Sequence, residues 1–165
     1  MNDYEPKSII FDILSTTSAD LWELYLSCLQ KVKENHLPES MRILQVILVA
    51  ERPLSIEELM DIMEVASLVT GLDSKPDAES LTKTSKQMKI RVLNLCRGLV
   101  EVTETERGFE LGIHSYFHLT TEVQFIHQSV KDFLRANKLS AELKQFGSPS
   151  LEASGHELMF KCCLH

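Results

Sequence analysis

The stretch Glu122–Leu134, EVQFIHQSVKDFL, leaves this chain few folds to choose from. Val123 and Phe125 alternate with polar neighbours, the period of a half-buried strand. Val130, Phe133 and Leu134 then fall at helical spacing, and Ser129 three residues before Asp132 reads as a capping-box start. A strand that turns into a helix so abruptly requires sheet and helix to share one core. His127 stands at the joint. On the strand phase it points with Val123 and Phe125, beside the free N–H groups of a helix N-terminus, which attract anions such as phosphate.

The rest of the chain supplies the partners for that joint. Residues 1–19 are a polar tail with a short apolar patch (Ile9, Ile10, Phe11, Ile13, Leu14) and read as a linker. Asp20 with Glu23 opens a helix to about Lys33. Leu21, Leu24, Tyr25, Cys28, Leu29 and Val32 form its apolar stripe, with Trp22 and Leu26 off it. Pro38 suits the first turn of a second helix, whose MRILQVILVA run is apolar almost all round and therefore central. Glu51-Arg52-Pro53 stops it. Ser55 and Glu58 then make a capping box for a third helix with Ile56, Leu59, Met60 and Met63 on its buried face.

Gly71–Gln87 is polar and reads as a surface loop. Met88, Val92, Leu95, Cys96 and Leu99 mark the next helix, with Gly98 as its stop. Leu99–Thr103 is extended, and residues 104–121 hold a second alternating piece around Phe109, Leu111 and Ile113, so the expectation is a hairpin wing with an irregular tip. The fold expected is mainly α: a winged helix, with a helix-turn-helix core and a small antiparallel wing, over residues 20–146. The helix from Val130 is expected to reach about Leu143. Ser154 with Glu157 reads as the cap of a last helix, in a segment 147–165 that begins a following helical region.

The pattern Phe125-x-His127-x-Ser129-Val130-x-Asp132-Phe133-Leu134 resembles the segment that closes the winged-helix part of NACHT-type signalling NTPases, the STAND proteins related to NOD-like receptors, and above all their large fungal group. Arg52-Pro53-Leu54-x-x-Glu57-Glu58-Leu59 and Leu95-Cys96-Arg97-Gly98-Leu99-Val100-Glu101-Val102 resemble two further joins of that group, in the same order. The resemblance covers roughly residues 8–165. It implies that His127 contacts the diphosphate end of ADP bound on a neighbouring NTPase domain, as a sensor and not a catalyst. It also implies a cytoplasmic regulatory module that couples the ADP or ATP state of that domain to C-terminal repeats, with oligomerisation left to other domains.

The chain departs from the family where chemistry is done. It has no G-x-x-x-x-G-K-[ST] phosphate loop and no strand ending in paired acids for magnesium. Hydrolysis, and any cofactor of this chain's own, are therefore not expected.

Composition narrows the rest. With 17 basic against 24 acidic residues the net charge is −7, which repels a phosphate backbone. The helix over Ser55–Ala66, taken as the recognition helix, presents Glu57, Glu58, Asp61 and Glu64 with no Arg or Lys, so a protein-facing winged helix is expected and nucleic acid is not. Cys28, Cys96, Cys162 and Cys163 form no C-x-x-C pair and read as reduced thiols. His114 and His118 are four apart, but the residues between them read as strand or loop, and a metal site there is disfavoured. Cys96 with His127 is a poor nucleophilic pair, because Cys96 lies on an apolar face. Against the sensor reading stands a plainer one: His127 as a structural histidine whose ring nitrogens meet the backbone. A stand-alone protein-interaction adaptor is the alternative to the regulatory module as a whole.

Overall fold

The computed structural model describes residues 20–70, 84–111, 114–136 and 151–164, with backbone alone at 69–70, 107–111 and 114–118. In order they form α1 (residues 20–30), a single 3-10 turn, α2 (Leu37–Val49), β1 (Leu54–Ser55), α3 (Ile56–Thr70), α4 (Ser85–Cys96), β2 (Val100–Leu111), β3 (His114–Phe125), α5 (Gln128–Arg135) and α6 (Leu151–Cys163). The sheet is antiparallel, in the order β1-β3-β2. Helix, short strand, two helices and a hairpin that pairs back onto the short strand is the winged-helix order, so the expected fold class holds.

α2 is the centre. Ser40, Met41, Ile43, Leu44, Val46, Ile47 and Leu48 are all buried, as an all-round apolar helix demands. The hydroxyl of Ser40 is satisfied by donating to the Leu95 carbonyl at 2.9 Å, which ties α2 to α4. Pro38 sits in the first turn of α2. α3 begins as its capping box requires: the Glu58 N–H donates to Ser55 Oγ at 3.0 Å and the Ser55 N–H donates to Glu58 Oε2 at 2.8 Å. Arg52 adds two donors to the same carboxylate.

Thr84 caps α4 by accepting from the Gln87 N–H, so the helix takes Ser85–Gln87 away from the expected loop. Residues 71–83 of that loop lie outside the described residues. α4 ends on Arg97 at φ 48° and Gly98 at φ 85°. Both lie in the left-handed region, where only glycine is free of steric cost, so the stop assigned to Gly98 takes two residues.

The wing is more regular than expected. β2 and β3 pair without interruption from Val100↔Phe125 out to Leu111↔His114. Burial follows the alternation near the base, where Val100, Val123 and Phe125 are buried; further out, Glu104, Thr105, Glu106 and Leu119 are exposed. From Glu104 to Glu106 both faces of the ribbon are exposed, so burial imposes no alternation there.

Several helix ends differ from their sequence signals. α1 stops at Gln30, short of Lys33, and Leu24 of the expected stripe is exposed. Trp22, off that stripe, packs edge-on against Phe133 of α5 at 5.7 Å between centroids. α5 ends at Arg135 with Ala136 extended, so the helix expected to Leu143 breaks there; residues 137–150 lie outside the described residues, as does the tail 1–19. α6 already runs from Leu151, so Ser154 is inside it and is not its cap. Leu158 of α6 joins the main core, and Gly155 lets α6 approach α2 closely. A Cβ there would lie 2.7 Å from the Gln45 carbonyl oxygen and 2.8 Å from Val49 Cγ1.

Candidate functional site

His127 lies where the alternation of β3 gives out. The strand ends at Phe125, Ile126 and His127 turn to solvent, and the expected continuation of the Val123–Phe125 phase does not reach the imidazole. His127 is itself the cap of α5, in extended backbone, and its Nδ1 accepts the Ser129 N–H at 3.1 Å. The capping role expected of Ser129 is thus taken two residues earlier by a ring nitrogen.

That bond fixes the proton inventory. An Nδ1 that accepts from a backbone N–H carries no proton, so the neutral ring is protonated at Nε2 and can donate there. Ser129 Oγ is also 2.7 Å from Nδ1, where its hydroxyl must be the donor. Tyr25 then donates to Ser129 Oγ at 2.9 Å. A chain of polarised bonds therefore runs from a buried tyrosine on α1 to an exposed imidazole at the head of α5. Phe133, one turn along α5, stacks at a tilt on the Tyr25 ring at 5.5 Å and holds the two helices together.

The expected free N–H groups are partly used. Ser129 gives its N–H to the His127 ring, and Val130 gives its own to the His127 carbonyl at 3.1 Å. An anion at this end of α5 would therefore meet the Nε2–H of His127 ahead of a bare row of backbone donors. At the far end, Arg135 donates to Glu152 of α6 at 3.0 Å, so α5 connects the His127 joint to the last helix.

Cys96 and His127 do not form a reactive pair. Cys96 is fully buried, and desolvation first, with the charge of Glu39 second, pushes its thiol up to about 12. Such a thiol supplies no thiolate at neutral pH. His114 and His118 occupy strand positions opposite Leu111 and Arg107, and their side chains lie outside the described residues. No cluster of three or more His, Cys, Asp or Glu side chains is placed to hold a metal among the described residues. All four cysteines are free thiols, and no described helix is long and apolar enough to cross a membrane.

The recognition helix needs reassignment. In this fold the helix that lies beside the wing is the one that precedes it, which is α4 and not the Ser55–Ala66 segment. Lys89 of α4 reaches Glu104 of β2 at 3.6 Å. Sequence reasoning missed that α4 is this surface helix, and missed the Tyr25–Ser129 bond. Ile90 and Leu93, apolar but off the buried stripe of α4, were the available signal for the first. The second joins residues 104 positions apart and leaves no local trace.

Comparison with known proteins adds a relative. Over 130 residues the chain is 27% identical to "Azaphilone pigments biosynthesis cluster protein L" of Monascus ruber, covering 78% of this chain and 24% of that protein. The chain thus spans about a quarter of the length of the curated relative it matches. No solved structure matches it. Residues 31–165 match the family described as a domain of unknown function, DUF7791, and the chain belongs to that family.

Proposed function

We propose that this chain is a non-catalytic regulatory module, a winged helix that reads the nucleotide state of an adjacent NTPase domain in a NACHT-like STAND protein and passes it to C-terminal repeats. The observation that carries the reading is His127: exposed, held by its own Nδ1 as the cap of α5, with Nε2–H left as an outward donor. A donor so fixed can meet a diphosphate oxygen without reordering the ring.

The path onward is also built. Closing α5 onto a nucleotide would load the Tyr25–Ser129 link to α1 and the Arg135–Glu152 link to α6. The NACHT part of the reading rests on the motif residues. The comparisons support a fungal relative, several times longer than this chain, whose printed name places it in a pigment biosynthesis cluster, which suits a regulatory module as part of a larger protein.

The test uses the longer protein that contains this segment. His127→Ala should weaken its ADP affinity about tenfold, within the usual range of ~1–3 kcal/mol for such coupling, while His127→Asn restores the cap and not the ADP contact. The isolated chain should show no heat on titration with ADP. Equal ADP affinity in the alanine variant and the wild type would overturn the sensor role and leave His127 as a structural cap.

A further inference from the structure

The helix beside the wing carries a surface that the nucleotide reading does not use. α4 buries Met88, Val92, Leu95 and Cys96 and turns the opposite face out. On that face Ile90 and Leu93 remain 53% and 41% exposed, large values for apolar side chains in the middle of a helix. Lys86 lies one turn before them and Arg97 one turn after, both exposed. At 100° per residue Lys86, Ile90 and Leu93 fall within a 60° arc, and Arg97 extends the line at the C-cap. α4 contains no acidic residue, in a chain whose net charge is −7. The sequence has therefore placed a basic–apolar–apolar–basic stripe on an otherwise acidic molecule.

Charge decides the occupant. Phosphate would meet Lys86 and Arg97, but β2 of the wing beside α4 carries exposed Glu104 and Glu106, and Glu104 already engages Lys89 of the same helix. A duplex lying along α4 would press its backbone against those carboxylates. A protein helix has no such conflict, since it brings its carboxylates only where it needs them.

We infer that the exposed face of α4 docks an acidic amphipathic helix of a protein partner, two apolar side chains at i, i+3 seated on Ile90 and Leu93 and a carboxylate one turn outside each, paired with Lys86 and Arg97. This is helix-on-helix recognition by apolar anchors with charges setting the register. It goes beyond the nucleotide role and does not rest on it, for His127 and α4 are separate elements.

The experiment titrates the whole isotopically labelled chain with a helical peptide bearing two leucines at i and i+3 and a glutamate one turn beyond each, and follows backbone amide shifts. The expected result is shifts confined to residues 86–97 and at least a tenfold loss of affinity in Leu93→Glu. A double reversal, Lys86→Glu with Arg97→Glu, should reject this peptide and accept its lysine counterpart. All three residues are exposed, so unchanged melting of the variants checks that they fold. Shifts elsewhere or none, affinity indifferent to the charge reversal, displacement of the peptide by duplex DNA at physiological salt, or concentration-dependent dimers that bury α4 would each overturn the proposal. The last two would assign the face to nucleic acid or to a second copy.

Discussion

The N-termini of α3 and α5 carry the same signal in sequence, a serine three residues ahead of an acid and then a helical apolar run. They are built differently. At α3 the serine and the acid bond each other's backbone, as Ser55 and Glu58, and every group involved lies within four consecutive residues. At α5 the corresponding Ser129 has its hydroxyl drawn between His127 and Tyr25, so the cap passes to His127 and the helix begins earlier. A capping box is realised where nothing distant competes for its serine. Where another helix offers a hydroxyl to the same atom, tertiary contact rewrites the local rule.

The strongest way to break this contrast is Phe133→Ala. It removes the ring on which Trp22 and Tyr25 pack and should cost ~3–5 kcal/mol. Hydrogen exchange should rise at α1 and α5 and stay unchanged at the start of α3; equal loosening of both starts would show that they are not independent. Glu58→Ala strikes the local version. It leaves the Ser55 N–H without that acceptor and should destabilise the protein by about 1–2 kcal/mol in denaturant unfolding, with little further loss when Arg52→Ala is added. A large additional loss would mean that Arg52 acts outside the box.

Both measurements belong below pH 9. Above it the Cys96 thiol ionises in the unfolded chain, near its ordinary 9.0, but stays neutral in the fold until about 12. The unfolded state then binds fewer protons, so stability falls as pH rises, by up to ~1.4 kcal/mol per pH unit across that window. Urea melts of Cys96→Ala against wild type at rising pH check this, because the variant should lack that alkaline limb. The smallest effect sharpens the comparison most. A Tyr25→Phe, Ser129→Ala double-mutant cycle should give a coupling of about 0.5–1 kcal/mol, whereas pairing Tyr25→Phe with Ser55→Ala should be additive. Coupling of zero in the first cycle would remove the tertiary explanation for the displaced cap.

Legibility followed the same division. The central burial of α2, the start of α3, the stop near Gly98 and the buried stripe of α4 were all readable, because each is set by residues within one or two turns. The wing was half readable: its base alternates against the core, but from Glu104 to Glu106 both faces are exposed and impose no pattern. Leu24 and Trp22 exchanged expected places on α1 because Phe133 of α5, more than a hundred positions away, decides which side of that helix is covered. His127 was found by motif and misread in detail, since strand phase was extended past the residue where the strand ends.

By itself the sequence determined that one helix is buried on nearly every side, that a hairpin follows the helices, and that an imidazole stands where strand becomes helix. Those outcomes rest on short-range periodicity and backbone sterics, which a linear reading can follow. Only the assembled molecule decided which nitrogen of that imidazole is occupied, which serine ends up capping, and which helix shows its apolar side chains to solvent. Each of these is settled by contacts between distant segments, where a hydroxyl or a ring arrives from elsewhere and the local preference of a few tenths to about 1 kcal/mol is outweighed.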